Sequence, residues 1–474
     1  MVFSSIVFLL YFLPIFLITY YLVAEKYKNW VLLLFSVFFY SWGAPKFIFV
    51  IIGTTFIDFH IVKYLSKSEN QIKKNSLLLF SVVLNLGLLF YFKYSNFFIE
   101  NINSFLTVFG FQQIKWVELI LPIGISFYTF ETITYVVDVY RKVHKPLVNF
   151  WDYLLYIILF PKLIAGPIVR FHEIADQIST RSQNDTIDNR LMGFYRFSIG
   201  LGKKVLIANQ LGVQADYIFS WNYADLSTLT AWVGILAYTF QIYFDFSGYS
   251  DMAIGIAKMI GFKFPENFNN PYTSKSITEF WRRWHISLGN WMRNYLYIPL
   301  GGNKVKNKSR LYFNLGLVFV VSGLWHGASW CFVIWGIYHG VFLILERIFL
   351  KKILDKVGGL FSTFFTFLLV SIGWVFFRVE KVENAFHYIK RLFSFDNFKL
   401  ESFESEFYIF FCLAILFSFF TCFTTGQKIQ DKIFLKNYSD KFHLMIAIFS
   451  VLILFLSVSS ITSLGFNPFI YFRF

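Results

Sequence analysis

The sequence predicts an all-α polytopic membrane protein, on three observations. The chain is 57% hydrophobic, 22% aromatic and only 15% charged, with a mean hydropathy of +0.56. Soluble domains carry about a quarter of their residues as charges. Many apolar runs reach the roughly 20 residues that a helix needs to cross a bilayer. The basic residues behind the net charge of +15 sit in the loops between those runs, so they report orientation and give no sign of nucleic-acid binding. No polar or Pro/Ser-rich linker divides the 474 residues, which predicts one membrane domain over 1–474.

The run from Phe3 to Val23 lacks a basic start and is too long for a signal-peptide core, so it reads as a span. Lys26 and Lys28 follow it, and the turn at Gly43-Ala44-Pro45-Lys46 is nearly neutral. Lys63, Lys67, Lys73 and Lys74 follow the third run, a weakly basic stretch occupies 93–115, and Arg141, Lys142 and Lys145 follow the fifth. This alternation puts the N-terminus outside the cytoplasm.

Leu154 to Val169 contains Pro161, Gly166 and Pro167 and cannot be one plain helix, so a re-entrant segment is expected. Leu191–Phe219 carries Arg196, Lys203 and Lys204 and fits either a span or a surface helix. Leu226–Phe246 is apolar up to Asp245-Phe246-Ser247-Gly248-Tyr249-Ser250-Asp251. The two aspartates suit catalysis, capping or pairing with a nearby base. Lys258 to Arg310 holds ten Lys/Arg against two Glu and is assigned to the cytoplasm. Leu311–Leu345 reads as a hairpin or a broken helix pair around His326. Three further apolar runs, Leu360–Phe377, Phe407–Phe423 and His443–Leu464, leave the C-terminus outside.

Two histidines are candidates for proton chemistry, each with a structural alternative: His285 as an incidental residue of an interfacial anchor and His326 as a ring satisfied by a backbone carbonyl. His326 lies in Ser322-Gly323-Leu324-Trp325-His326-Gly327-Ala328-Ser329-Trp330, inside a stretch without Lys, Arg, Asp or Glu from Leu311 to Leu345. An ionisable group at membrane depth is costly and reads as functional by default. His285 lies in Trp281-Arg282-Arg283-Trp284-His285-Ile286-Ser287-Leu288. There Ile277, Trp281, Trp284, Leu288, Trp291, Tyr295 and Ile298 form one helical apolar stripe, with Arg282, Arg283 and Arg293 mostly off it. That pattern predicts a helix lying at the membrane interface, with His285 on the shoulder of the stripe. His339 competes with His326. On a continuous helix the two sit about 220° apart, so they share a site only if Gly327 breaks the helix. The histidines and Asp58-x-His60 lack metal-ligand spacing, so no metal site is expected. Cys331, Cys412 and Cys422 read as apolar fillers, and there is no nucleophile elbow or phosphate loop.

Three stretches resemble the membrane-bound O-acyltransferase family, in its bacterial polysaccharide-modifying branch. They are Phe160 through Arg170, Asp245 through Asp251, and Phe280 through Gly302 together with Ser322–Trp330. The resemblance implies a ring of about 11–12 transmembrane helices, with re-entrant and interfacial helices, around a central funnel in the bacterial inner membrane. It implies that His326 is catalytic and that His285 is the second active-site residue, while His339 is structural. It also implies acetyl-CoA as a cytoplasmic donor substrate, with no permanently bound cofactor. A periplasmic SGNH-type transferase would be the partner and a polysaccharide the final acceptor, peptidoglycan being favoured over alginate. The C-terminal Phe469-Ile470-Tyr471-Phe472-Arg473-Phe474 resembles a motif of these export systems, which implies an acyl relay on Tyr471.

The reading that follows has the basic region, with Arg282, Arg283 and Arg293, facing the phosphates of acetyl-CoA. His326 acts as base on the acceptor hydroxyl, and His285 orients the thioester or stabilises the oxyanion. Competing readings are a transporter or flippase with a histidine proton relay, and a structural subunit of an export complex.

Overall fold

The computed structural model describes residues 1–474 apart from 396–397, 400, 435–437, 465–467 and 471–474. Regular structure among the described residues is entirely helical. Two compact units form, one from Val7–Thr186 with Ile260–Phe264 and the other from Val2–Ile6, Ile187–Met259 and Pro265–Phe474. Among the described residues six helices are long and apolar enough to cross a membrane: Ile48–Lys67, Gln71–Val108, Trp330–Val357, Gly359–Arg378, Ser405–Cys422 and Asp440–Ser463. Several expose large apolar side chains, including Leu79, Phe80 and Val83 on one and Ile448 and Phe455 on another. Such bands are tolerable in lipid and a liability in water. The protein is a multi-pass membrane protein.

In the first unit, α1 (Leu13–Leu22), α2 (Lys28–Gly43), α3 (Ile48–Lys67), α4 (Gln71–Val108) and α5 (Ile125–Tyr140) run in order. The Asn70 side chain caps α4 by accepting from the amides of Ile72 and Lys73. Asp58, buried in α3, is satisfied by Ser81 and Asn85 of α4. The segment from Leu154 to Val169 breaks as its prolines require. Helix α6 (Phe150–Ile158) ends at Leu159, α7 (Phe160–Leu163) is a single turn, and extended chain follows into α8 (Phe171–Ser179). This stretch is wholly buried, and its Lys162 forms an ion pair with Glu131 of α5. Phe160 fills an aromatic core with Phe12, Phe16 and Phe39, at centroid distances of 5.3, 5.0 and 5.4 Å.

In the second unit, α9 (Ile187–Gly202) continues through a π-helical stretch (Lys203–Ala208) into α10 (Asn209–Phe219). This path packs along α11 (Thr228–Met259) through paired glycines. A Cβ on Gly200 would stand 2.6 Å from the Gly248 carbonyl oxygen, and the reverse distance is also 2.6 Å. Gly193 and Gly255 repeat the arrangement at 2.6 Å. Small residues at both crossings let the two backbones touch, the device by which membrane helices pack closely. Arg196 and Lys203 reach Asp251, and Lys204 reaches Asp245. Of the roles open to the two aspartates, pairing with a nearby base is the one seen.

The remaining elements are α12 (Ile277–Arg283), α13 (Ile286–Trp291), α14 (Lys308–His326), α15 (Trp330–Leu345), α16 (Lys351–Val357), α17 (Gly359–Arg378), α18 (Val382–Leu392), α19 (Ser405–Phe419), α20 (Thr424–Phe434) and α21 (Asp440–Leu464). The expected single helix over 277–298 is corrected: it breaks at Trp284–His285, where His285 adopts a left-handed conformation, φ 44° and ψ 54°. Along it Trp284, Leu288 and Trp291 are buried, while Ile298 is exposed. At the kink the Trp284 ring packs among Phe280, Trp374 and Tyr272.

Candidate active site

His326 closes α14. Gly327 is extended, Ser329 precedes the first turn of α15, and the two helices fold back as a hairpin. The hairpin is tight because glycines line its seam. A Cβ on Gly323 would lie 2.2 Å from the Phe332 carbonyl oxygen, and one on Gly336 would lie 2.4 Å from that of Phe319. The break at Gly327 brings His326 and His339 to the same ring. The Trp335 indole lies 5.2 Å from His326 and 5.0 Å from His339, each edge to face.

The two histidines differ in surroundings. His326 is 6% exposed and borders Trp325, Trp335 and Phe377. His339 is fully buried between Trp281 and Trp335, and neither of its ring nitrogens has a hydrogen-bond partner. A Cβ on Gly373 would come 2.8 Å from its Nε2, so Gly373 makes room for the ring.

His285 joins the same aromatic wall. Its ring lies 6.1 Å from that of Trp325, which is 5.0 Å from that of His326. Its backbone is pinned by the chain over 267–269: Ile286 N–H donates to the Asn267 carbonyl, and Asn269 N–H donates to the Arg283 carbonyl. The start of α12 is fixed from the histidine hairpin's side. Glu346, at the end of α15, accepts from the amides of Ile277 and Thr278 and from the Thr278 hydroxyl. A carboxylate at a helix N-terminus also meets the positive end of its dipole.

Asn267 determines the state of His285. Its Oδ1 faces three donors: Ser287 N–H at 3.3 Å, the Ser287 hydroxyl at 2.9 Å and His285 Nδ1 at 3.0 Å. Its Nδ2 donates to Ser250 at 3.0 Å. A backbone N–H can only donate, so the amide oxygen must face Ser287, and His285 Nδ1 therefore carries the proton. Nε2 is left as a buried lone pair with no hydrogen-bond partner. Burial lowers the imidazole pKa from 6.5 to about 3, so the ring is neutral at physiological pH.

The aromatic motif of α11 surrounds this group. Phe246 stands edge-on to His285 at 4.7 Å, and Ser250 holds Asn267. Arg282 and Arg293 are exposed. Arg283 is engaged, donating to Thr273 at 2.9 Å and pairing with Glu279 at 2.6 Å. Tyr471 lies outside the described residues, but Pro468–Ile470, just before it, do not. Phe469 and Ile470 are buried, and Ile470 N–H donates to Asp245 at 2.8 Å. Sequence reasoning missed Asn267 and the contacts of Lys204 with Asp245 and the C-terminal segment. Asn267 precedes Phe268-Asn269-Asn270-Pro271, a polar loop stretch whose only visible signal was its length of amide side chains.

The sequence profile of MBOAT, the membrane-bound O-acyltransferase family, matches residues 3–355. The chain belongs to this family. The acyltransferase is 46% identical to a probable alginate O-acetylase of Pseudomonas aeruginosa, over 84% of this chain and 76% of that protein. It is 36% identical to a peptidoglycan O-acetyltransferase of Helicobacter pylori, over 82% and 79%. A teichoic acid D-alanyltransferase of Bacillus subtilis is 30% identical over 45% of this chain and 55% of its own. The family's sequence profile spans both histidines and the α11 motif, and ends before the C-terminal segment seated on Asp245.

Proposed function

We propose that this acyltransferase moves an acetyl group from cytoplasmic acetyl-CoA across the bacterial inner membrane, for O-acetylation of an exported or cell-envelope polysaccharide. The observation that carries the reading is the pairing of His326 and His285 on one aromatic wall in a family of O-acyltransferases. Similarity to alginate and peptidoglycan O-acetylating enzymes supports the acetyl group and the polysaccharide.

The acceptor hydroxyl attacks the thioester carbonyl, a C–O bond forms, the C–S bond breaks, and the CoA thiolate leaves. His326 takes the hydroxyl proton and returns it to the thiolate. His285 orients the reactants: its bare Nε2 accepts a hydrogen bond from an N–H or O–H of a bound molecule. Oxyanion stabilisation needs a donor, which this tautomer does not present there. The buried, aromatic surroundings suppress hydrolysis. Arg282 and Arg293 meet the donor's phosphates. The first acceptor is Tyr471, whose phenyl ester is activated enough to pass the acetyl to a periplasmic SGNH-type transferase and then to the glycan.

Peptidoglycan is the acceptor favoured from sequence, and the higher identity to alginate O-acetylases supports an alginate-type exported polymer as the alternative. Glycan analysis of a deletion strain complemented with the wild-type gene or with His326→Ala tests the proposal. The expected result is loss of O-acetyl from one polymer, restored only by the wild type. Unchanged acetylation of every envelope and exported glycan in the deletion strain contradicts it.

A further inference from the structure

We propose that the buried Lys204–Asp245 pair is a seat for the backbone of the C-terminal segment, and that its role is to hold that segment against the wall that carries His285. Lys204 and Asp245 are 2% and 1% exposed and 2.9 Å apart. The segment Pro468–Ile470 uses both charges: Lys204 donates to the Pro468 carbonyl at 3.2 Å, and Asp245 accepts from Ile470 N–H at 2.8 Å. Between them the Phe469 ring, wholly buried, packs 4.7 Å from Tyr249 and 5.9 Å from Phe246. The Tyr249 ring is itself stacked on Phe3 at 4.6 Å. Phe246 is the ring that stands edge-on to His285 at 4.7 Å.

The local backbone is built for this. Lys203 and Lys204 open a π-helical stretch, and its wider turn lets adjacent lysines reach two aspartates on one helix, Asp251 and Asp245. Such π-stretches recur at functional sites. Simple packing gives no reason to bury two charges, because apolar side chains of similar volume would stabilise the contact as well or better. What the pair supplies is one donor and one acceptor at fixed positions. Those read a main-chain carbonyl and a main-chain amide two residues apart, which sets the register of the segment whatever its side chains. Lys204 and Asp245 are positioning residues: they fix where residue 470 stops.

The functional half of this inference rests on the proposed Tyr471 relay, and the experiment separates the two. Amide hydrogen exchange is followed by mass spectrometry on the full-length protein in nanodiscs, together with acetylation of the C-terminal peptide after incubation with acetyl-CoA. In the wild type an amide of that peptide is expected to be protected at least about tenfold over an unstructured chain. The double Lys204→Met/Asp245→Asn keeps an oxygen for Ile470 N–H without a stranded charge and should keep that amide's protection. Removing one charge alone leaves the other buried, so the disruptive variant is the double Lys204→Met/Asp245→Leu, with both charges gone. It should lose the protection and about tenfold or more of Tyr471 acetylation, while exchange in Thr228–Met259 stays as in the wild type. An unprotected wild-type segment, or a Lys204→Met/Asp245→Leu variant that retains protection, overturns the seat. Lost protection with unchanged Tyr471 acetylation overturns its positioning role. The expected protection pattern with no acetyl on Tyr471 in any variant removes the relay and leaves the seat standing.

Discussion

Replacing Asn267 by leucine tests how far the site depends on one amide. The change removes the single oxygen that accepts from His285 Nδ1, Ser287 N–H and the Ser287 hydroxyl, and the donor to Ser250. The hydroxyls of Ser250 and Ser287 can rotate, and Ser287 Oγ already lies 3.4 Å from His285 Nδ1. The Ser287 N–H cannot turn away, and the Nδ1–H must find a new acceptor. Stranding a buried donor costs about 1–3 kcal/mol, so two give roughly 2–6 kcal/mol of lost stability. The catalytic effect is separate. With Nδ1 no longer committed, the ring can place its proton on Nε2 and lose the acceptor that the site presents. Positioned proton-accepting groups contribute on the order of 10²–10⁴-fold, and a loss of about 10²-fold in kcat is expected with KM for acetyl-CoA little changed. Asn267→Asp keeps an oxygen and adds a charge beside Nδ1, which raises the imidazole pKa. Its acid limb in a pH–rate profile should move upward, which a purely structural role for Asn267 does not produce. The assay is release of CoA thiol from acetyl-CoA by protein in nanodiscs, with melting followed in parallel. An Asn267→Leu protein whose kcat stays within about twofold of wild type refutes the reasoning.

Three further outcomes are expected. His326→Ala should abolish acyl transfer while the protein still inserts and melts near the wild-type temperature; an active His326→Ala with a dead His339→Ala means that the other histidine is catalytic. Because burial holds His285 neutral with a pKa of about 3 against 6.5, the unfolded state binds the extra proton between those values. His285 therefore contributes stability that is present above pH 6.5 and lost as pH falls toward 3, with a slope of about 1.4 kcal/mol per pH unit. Acid melting curves of His285→Gln should be flatter by that amount, and equal slopes count against a buried neutral ring. In Gly327→Ala the new methyl would stand 2.1 Å from Phe332 Cε2 and displace that ring, which packs 5.0 Å from Phe377, a neighbour of His326. We expect about 1–3 kcal/mol of destabilisation and reduced turnover, both relieved by adding Phe332→Leu; no rescue by the second change argues against this path.

The features legible in the sequence are those that local chemistry decides. Pro161 and Gly166 forbid a continuous helix, and the chain breaks beside them. Gly327 was the stated condition for His326 and His339 to share a site, and it separates α14 from α15. The break at His285 was not legible. The stripe from Ile277 to Ile298 has helical periodicity throughout, and the force that interrupts it comes from Asn267, eighteen positions upstream. The stripe is apolar, and its middle is covered by protein while Ile298 is exposed; periodicity identifies a face and not what covers it. The charges of α9 to α11 show the same limit. Sequence marked Asp245 and Asp251 as acids near membrane depth and left the segment with Lys203 and Lys204 as either a span or a surface helix; their pairing depends on the Gly200–Gly248 crossing, which only the fold reveals. The link between Asp245 and Ile470 spans most of the second unit, and no pattern along the chain announces it.

The central claim is that acetyl passes from acetyl-CoA to this chain's own tail before it reaches a glycan. It is tested most directly by mass spectrometry of the C-terminal peptide from purified protein, incubated with isotopically labelled acetyl-CoA and no periplasmic partner. The account predicts a labelled acetyl on Tyr471, absent from His326→Ala and from Tyr471→Phe, with Tyr471→Phe also failing to support glycan acetylation in cells. A wild-type peptide that stays unlabelled while CoA is released, together with full glycan acetylation by Tyr471→Phe, contradicts it.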